Sequence, residues 1–501
     1  MDKEWPVLLT FLKDELDYKI RPGNRVLGYH LFYVDLSSWK LRFTNHAPMV
    51  WIKRSDCEEY TPHQLLESLQ DVVREERFGR QTVLVHLDGD AELIRKHISN
   101  QFHNFVILGT EEQQKIIHSR RPTGELLDLI SNQIPISYLA PYETTAPVTG
   151  SRFFGREFER DRILSNPDSN FVVLGIRRIG KTSLLREVRR LLAESQEGGA
   201  VLYLDCSDLL TTEDFVREVV RKLNPKELTR LELQKYVFYF PDFLDRMKNM
   251  SKGKIILLLD EIDNLITMQR GDWELFRMLR AAANSGSCQL VIAGFREAMK
   301  EHNLLDSPFY KFAQEIRLNE FNWKQAHDMI VTPMENLRIR FHNKEEIVGR
   351  IYEETAGHPN LIQYYCLILL KRMDQTGERE ISPDRLIDVY LDEGFKSHLL
   401  TSFLLNTQNR EKALIYTLLH GSSDEQLKSF SQGDMDDRLR QQGLVLQQQQ
   451  MDEACNHLIL SGVLYRKGRD YFFTSPVFVR VLQQTYDLQY LLKKIKEEGV
   501  A

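Results

Sequence analysis

The chain has 501 residues, of which 42% are hydrophobic and 28% charged, a size that allows about three domains with cores of their own. Its formal net charge of −6 offers no general attraction to nucleic acid or to an anionic membrane, so DNA contact would need a local patch. Five widely spaced cysteines, no signal-like N-terminus and no long apolar run predict a reduced, cytoplasmic protein without a disulfide framework, zinc site or membrane partner.

Residues 1–140 predict a separate α/β domain whose role we leave unassigned. Five apolar runs have the length of strands: Tyr29–Val34, Lys40–Thr44, Met49–Ile52, Thr82–Leu87 and Asn104–Leu108. The last two runs each precede a helical pattern, and this alternation indicates that some of the strands are parallel.

The pair Asp88 and Asp90 follows the fourth of these runs, at a strand end where α/β folds place their sites. The two carboxylates either hold a divalent metal or form a turn with an N-cap for the next helix. We favour the cap, because the sequence offers no third ligand. Residues 141–150 contain two prolines and no periodicity, which predicts an interdomain linker.

The clearest motif is a phosphate-binding loop. The apolar run Phe171–Leu174 leads into Gly175-x-x-x-x-Gly180-Lys-Thr, and an amphipathic helical pattern follows to about Glu194. Backbone N–H groups of such a loop converge on a polyphosphate, and a side chain at either glycine would obstruct the turn. The pattern predicts that an ATPase core spans residues 151–320.

The side chains of the loop suggest ATP and Mg²⁺ as ligands. Lys181 is expected to reach the β- and γ-phosphates, and the Thr182 hydroxyl to bind Mg²⁺, with Ser183 also in the nucleotide site. Arg177 and Arg178 are unusual between the two glycines. They either add to phosphate neutralisation or pair with an acidic surface of another domain.

A second motif, the strand pattern Lys254–Asp260 followed by Glu261, ends an aliphatic run in two carboxylates. Burying a charge at the end of a central strand costs free energy unless the charge binds a partner or a ligand. We expect Asp260 to hold the hydration shell of Mg²⁺ and Glu261 to polarise the attacking water.

Two further strand patterns complete the predicted sheet, at Gln289–Ala293 and Gln314–Leu318. The first is followed by Arg296, which either senses the γ-phosphate or forms an ion pair with Glu297 or a neighbouring helix. Upstream of the loop, Phe154 either packs against an adenine ring or forms a hydrophobic staple at the start of a helix.

Four motifs resemble the archaeal-type and STAND branch of the AAA+-like ATPases: Gly155-Arg-Glu, Gly175-Ile-Arg-Arg-Ile-Gly-Lys-Thr-Ser-Leu-Leu, Leu259-Asp-Glu and Gly357-His-Pro. The resemblance covers about Ser151 to Val481. It implies an α/β P-loop core with Gly155 and Arg156 at the nucleotide, and a helical lid over residues 321–400. It also implies that the Gly-x-Pro turn with His358 and Pro359 faces the nucleotide, although a simple corner between two helices is an alternative.

Residues 401–501 read as helices followed by a hairpin, which predicts a winged-helix domain. Such a module binds DNA through its third helix, here Met451–Leu460, or packs on protein. Asp452 and Glu453 on that helix would repel phosphate, so we favour protein packing and regard DNA as an alternative partner.

Taken together, we expect an ATP-hydrolysing switch of STAND type with slow turnover, in which ATP or ADP controls domain arrangement, self-association or a protein partner. By resemblance, relatives include prokaryotic stress and antiviral sensors. The alternatives are a DNA-associated AAA+ ATPase, similar to origin-recognition or transposition regulators, and a nucleotide-dependent scaffold with negligible turnover.

Overall fold

The computed structural model describes residues 5–43, 46–78, 81–96, 105–195, 199–224, 239–251, 253–422 and 427–499. Within these ranges, no helix is both long and apolar enough to cross a membrane.

The N-terminal region is a mixed five-stranded sheet with helices. Its strands are β1 (Ile20–Val26), β2 (Tyr29–Val34), β3 (Ala47–Ile52), β4 (Val83–Leu87) and β5 (Phe105–Leu108), adjacent in that order. Its helices are α1 (Val7–Asp14), α2 (Arg54–Glu59), α3 (Pro62–Glu75), α4 (Ala91–Arg95), α5 (Thr110–His118), α6 (Pro122–Ser131) and α7 (Ile136–Leu139). Strands β1 to β3 are antiparallel and β3 to β5 parallel, which confirms the predicted α/β region with some parallel strands.

One predicted strand in this region is wrong. Residues 40–43 are irregular, and Thr44, the last residue of that prediction, lies outside the described residues. Lys40 has a φ of 53°, and the Arg42 N–H donates to the Leu139 carbonyl, so the chain turns across the domain instead of joining the sheet. Strand β1 was not predicted, because Pro22 and Gly23 interrupt its alternation and its register shifts there.

The ATPase core is an all-parallel five-stranded sheet. Its strands in chain order are β6 (Phe171–Leu174), β7 (Gly199–Asp205), β8 (Lys254–Asp260), β9 (Cys288–Gly294) and β10 (Gln314–Arg317). In space the order is β10-β6-β9-β8-β7, so β9 lies between the strand before the phosphate loop and the strand that carries Asp260. The helices of this core are α8 (Glu157–Leu164), α9 (Lys181–Glu194), α10 (Thr212–Leu223), α11 (Phe240–Ser251), α12 (Asp263–Gln269), α13 (Glu274–Asn284) and α14 (Arg296–Asn303).

The next region is helical apart from one short ladder. It contains α15 (Trp323–Asn336), β11 (Arg340–Phe341), α16 (Lys344–Thr355), α17 (Pro359–Thr376), β12 (Glu380–Ile381), α18 (Arg385–Tyr390) and α19 (Glu393–Leu404). Helices α18 and α19 are separate, because Asp392 lies between them and caps α19 by accepting from the Phe395 N–H at 2.8 Å.

The C-terminal module contains α20 (Asn409–Leu419), α21 (Gln432–Gln441), α22 (Gln448–Leu460), β13 (Leu464–Lys467), β14 (Asp470–Phe473), α23 (Pro476–Thr485) and α24 (Leu488–Glu498). Strands β13 and β14 form the predicted antiparallel hairpin. The glutamine run before α22 was predicted as a loop, but Gln448 begins the helix, since the Gln450 side chain accepts from the Gln447 N–H at 3.0 Å. That this module is a winged helix stays a proposal.

A continuous apolar core joins the N-terminal region, the helical region and the C-terminal module, whereas the ATPase sheet packs on separate cores. Polar contacts reinforce this junction: the N–H of Ile136 donates to the Asp374 carboxylate at 2.8 Å. The segment predicted as a linker is itself packed, because Tyr142 is 2% exposed and its hydroxyl donates to the Met329 carbonyl at 3.3 Å.

Candidate nucleotide-binding site

The loop between β6 and α9 has the backbone that its glycines predict. A Cβ on Gly175 would lie 2.8 Å from Ile179 Cγ2 and 2.9 Å from the Leu318 carbonyl oxygen, so a side chain does not fit there. Gly180 has a φ of 112° and leads directly into α9, whose N-terminus points its unpaired N–H groups at the loop. Arg178 also adopts a left-handed conformation, with a φ of 63°.

Lys181 is held inside the loop. Its side chain is 4% exposed, and Nζ donates to the carbonyls of Gly175 at 2.9 Å and Ile176 at 3.0 Å. Burial lowers the pKa of this ammonium, while the nearby charges of Glu261 and Asp260 act in the opposite direction. The lysine therefore sits close to both carboxylates, as phosphate chemistry requires.

A cavity of about 610 Å³ opens above the loop, a size that suits a nucleotide. Nine of the candidate site residues line it: Phe154, Arg156, Arg178, Gly180, Lys181, Thr182, Ser183, Glu261 and Pro359. Segments from the N-terminal side, the ATPase core and the helical region thus share one site. Gly175, Gly155, Asp260, His358 and Arg296 are not on its wall.

The two carboxylates at the end of β8 differ in their surroundings. Asp260 is 1% exposed and accepts hydrogen bonds from the Tyr203 hydroxyl at 2.8 Å and the Glu261 N–H at 3.0 Å. Glu261 is partly exposed, reaches the cavity, and has a left-handed backbone with a φ of 51°. A left-handed backbone at a residue other than glycine is strained, and such strain is often found at functional sites.

The donor set fits Mg²⁺ and a polyphosphate. A hydroxyl at Thr182 and carboxylate oxygens from Asp260 and Glu261 are ligands that Mg²⁺ prefers, and four lysine and arginine side chains line the cavity: Arg156, Arg177, Arg178 and Lys181. The nearby Asp263 has a structural role, since it accepts from the N–H groups of Phe295 at 2.7 Å and Glu297 at 2.8 Å and so caps α14.

Arg156 braces the loop. It is 4% exposed, donates to the carbonyls of Ile179 and Asn319, and lies 4.8 Å from the centre of the Phe321 ring. Gly155 has a φ of 73°, and a Cβ there would lie 2.7 Å from the Phe321 ring. Gly155 is thus required by packing behind the cavity and does not itself face it.

Arg296, expected either to sense the γ-phosphate or to form an ion pair, does not line the loop cavity in this conformation. Its guanidinium instead binds Glu411 of α20, with Nη2 3.0 Å from Oε2 and Nη1 3.3 Å from Oε1. The same guanidinium also donates to the Asn406 carbonyl. The observed contact is thus an ion pair between Arg296 and a neighbouring helix, the second of the two roles that the sequence left open.

The structure also changes the expected role of His358. The ring is 2% exposed, and both of its nitrogens lack a hydrogen-bond partner among the described residues. Burial, with the charges of His398 and Arg178, lowers the pKa of His358 to about 3. In this conformation the neighbouring Pro359 and Asn360 form the cavity wall, and the His358 ring does not.

No sequence pattern signalled a group of polar residues that complete the site. Asn406 accepts from the Arg177 backbone N–H at 3.0 Å through Oδ1, and His398 Nδ1 lies 3.5 Å from Arg178 Nη1. Both come from α19 and the turn after it, more than two hundred residues beyond the loop. These contacts show what Arg177 and Arg178 meet in the folded chain: polar groups of the helical region.

The parallel sheet, the glycine loop and the carboxylates at the end of β8 define a P-loop NTPase domain. Residues 165–300 match the family model described as AAA domain, so this part of the chain is an AAA-type ATPase domain. The expected AAA+-like P-loop class is thereby confirmed. No curated protein matches the chain with significance.

Several solved structures share the general fold. The Walker-type ATPase of Pyrococcus abyssi is 17% identical, with a TM-score of 0.48, and the match covers 68% of this chain and 99% of that one. The ORC2 protein of Aeropyrum pernix, solved with ADPNP and ADP, is 13% identical, with a TM-score of 0.47 and coverages of 68% and 94%. The Cdc6p protein of Pyrobaculum aerophilum is 16% identical, with a TM-score of 0.36 and coverages of 69% and 95%. At these scores the similarities carry no argument about function.

Proposed function

We propose that this chain is an ATP-hydrolysing switch of STAND type, in which the nucleotide controls how the helical region and C-terminal module sit on the ATPase core. The observation that carries this proposal is the hydrogen bond from the Arg177 backbone N–H to Asn406 Oδ1, at 3.0 Å. Loop N–H groups are the donors that cradle a polyphosphate. A phosphate and Asn406 therefore compete for the loop.

Each site residue has a distinct part in the proposed reaction. Lys181 leaves the carbonyls of its own loop and binds the β- and γ-phosphates, while Thr182 and Asp260 would hold Mg²⁺, which neutralises phosphate charge. Glu261 orients and polarises the attacking water. Arg177 and Arg178 add positive charge at the cavity rim.

A second contact ties the end of β9 to the C-terminal module. Arg296 follows this strand, and its partner Glu411 is only 2% exposed on α20. His457 of α22 also reaches Glu411, with Nδ1 2.9 Å from Oε1. The face of α22 that carries His457 is therefore turned toward the ATPase core, which supports protein packing by this module.

The test is the Asn406→Ala variant of the full chain. Removing a group that competes for the loop should raise the affinity for ATP about 2- to 10-fold, because a neutral hydrogen bond contributes roughly 0.5–1.5 kcal/mol. The measurement is a titration with a fluorescent ATP analogue. Asn409→Ala is the matched control, since Asn409 lies three residues away and its side chain contacts Glu498 instead. An affinity that is unchanged or lower in Asn406→Ala, with a normal melting profile, contradicts the switch.

The alternative function is a DNA-associated AAA+ ATPase. One observation favours it: the hairpin of β13 and β14 exposes Arg466, Lys467 and Arg469, as a DNA-binding wing would. Against it, Asp452 and Glu453 are exposed on α22, the helix that would enter the groove. We further propose a cytoplasmic location, and self-association or a protein partner as the output of the switch.

A further inference from the structure

A second large cavity, of about 750 Å³, lies between the N-terminal region and the ATPase core. Its walls come from the loop after β2, from the segment that leads into the ATPase core, and from the outer half of α9. The nucleotide cavity is lined by a different set of residues, and Glu143 is common to both.

The charge on the walls is unbalanced. Five lysine and arginine side chains line this cavity against three glutamates, which leaves a surplus of two positive charges. The charge of one arginine, Arg190, is already paired, because this side chain donates to Glu187 at 2.7 Å and to Glu194 at 2.8 Å. Arg160 pairs with Asp161 at 2.8 Å, so the uncompensated charge lies on the opposite wall.

On that wall, two arginines share one carboxylate oxygen. Arg42 Nη2 lies 3.5 Å and Arg152 Nη1 lies 4.0 Å from Glu143 Oε2, both longer than the roughly 2.7–2.9 Å of a strong charged hydrogen bond. The other oxygen of Glu143 accepts from the Thr145 hydroxyl at 2.8 Å. Burial lowers the pKa of Arg152, and the charge of Arg42 lowers it further, as expected of two poorly neutralised cations. Arg42 Nε is buried without a partner among the described residues.

Lys40 adds a third cation at the rim. It is exposed, its backbone has a φ of 53°, and it forms no ion pair within the described part of the chain. The ring of Tyr138 also lines the cavity, and its centre lies 5.6 Å from the Arg42 guanidinium carbon. The cavity thus combines convergent cations with an aromatic surface.

We propose that this cavity binds a small phosphorylated molecule with at least two negative charges, held by Arg42 and Arg152 with Lys40 at the rim. Guanidinium groups match phosphate oxygens in a bidentate arrangement that the single Glu143 oxygen does not provide. The volume exceeds what the phosphate groups need, so the organic part of the ligand lies against Tyr138.

Such a ligand would act on the nucleotide site through Glu143. This residue lines the nucleotide cavity, and the segment after it, residues 144–148, forms part of the same wall. A phosphate that takes Arg42 and Arg152 away from Glu143 frees this wall to move. This consequence rests on the proposed switch, whereas the binding site itself does not.

Inorganic pyrophosphate is the probe, titrated by calorimetry into the full chain carrying Lys181→Ala, which weakens competing binding at the phosphate loop. One pyrophosphate should bind per chain. In this background Arg152→Gln should weaken binding about tenfold and Lys40→Ala about threefold, since hydrogen bonds to charged groups are the stronger ones. Arg54→Gln is the matched control: Arg54 is 84% exposed on α2, outside the cavity, and its removal should leave binding unchanged.

The absence of pyrophosphate binding by a folded Lys181→Ala chain would overturn the proposal. So would Arg152→Gln and Lys40→Ala variants that bind pyrophosphate as tightly as the Lys181→Ala parent does. If Lys181→Ala does not fold, Lys181→Met, which keeps the length of the buried side chain and removes its charge, replaces it. Lys40→Ala removes an exposed side chain that forms no ion pair in the described ranges, and it leaves the core intact, so its effect on binding decides the outcome there.

Discussion

At the scale of single residues, Glu261 carries the proposed chemistry. Its carboxylate reaches the loop cavity on a strained backbone, while its neighbour Asp260 stays buried against Tyr203. Burial and the charge of Asp260 raise the pKa of the Tyr203 phenol, so this hydroxyl remains a donor that fixes Asp260. The division of roles between the two acids follows from these surroundings.

Glu261→Gln keeps the shape of the side chain and removes the carboxylate that polarises water. Turnover of ATP should fall by about 100-fold or more, while ATP affinity changes by less than about threefold. Steady-state phosphate release and nucleotide titration measure the two quantities. Glu297→Gln is the control, because Glu297 lies near the same sheet edge, binds Arg270 and does not line the loop cavity. A wild-type chain that binds ATP without turnover would instead support the nucleotide-dependent scaffold.

At the scale of elements, α20 meets the end of β9 through a buried ion pair. Burial by itself raises the pKa of Glu411, but hydrogen bonds from His457 and Arg296 outweigh it and lower this pKa to about 2. A carboxyl with a lower pKa in the folded chain stabilises the fold at pH values above its unfolded pKa, near 4.3. That contribution is lost as the pH falls from about 4.3 to about 2.

The Glu411→Gln variant should therefore have a lower free energy of unfolding than the wild type at neutral pH, and the two values should converge in acid. The shift corresponds to about 3 kcal/mol of stability, as an order of magnitude, because one pKa unit is about 1.4 kcal/mol. Urea unfolding at pH 7 and at pH 3, followed by fluorescence, measures the difference. Glu453→Gln is the control, since Glu453 is exposed on α22 and only weakly paired with Arg410. The difference should be about half as large at pH 3 as at pH 7, and a difference that is equally large at both pH values would contradict this account.

At the scale of the whole molecule, charge distribution bears on DNA binding. The net charge is −6 and the exposed face of α22 is acidic, whereas the hairpin offers a basic patch. We expect the full chain to bind duplex DNA weakly or not at all at 50 mM salt, measured by fluorescence anisotropy.

The DNA-associated alternative makes the opposite prediction. Binding would then be tight at low salt, fall steeply as salt rises, and weaken in a Lys467→Gln, Arg469→Gln double variant. The control is Lys493→Gln with Lys494→Gln, which removes an equal charge from α24. Binding that depends on the hairpin charges and not on those of α24 would replace protein packing as the role of this module.

The sequence alone predicted much of the ATPase core. Strands β2, β6 and β8 begin and end at the predicted residues, and helix α9 ends at Glu194 as predicted. Local signals explain this success: glycine at the loop, continuous apolar runs in the strands, and capping residues at the helix starts. The loop residues Gly180 to Ser183, with Glu261, lie on one cavity because the motif itself dictates that turn.

The tertiary structure decided what surrounds the loop. Arg296 was predicted at the phosphate and His358 at the nucleotide, yet one pairs with Glu411 and the other is buried and neutral. A charged side chain takes whichever buried opposite charge lies within reach, and no local pattern reveals a partner more than a hundred residues away. The same holds for Asn406, which meets Arg177 only because α19 packs over the loop. Sequence thus determined the chemistry of the loop, and long-range packing determined what competes for it.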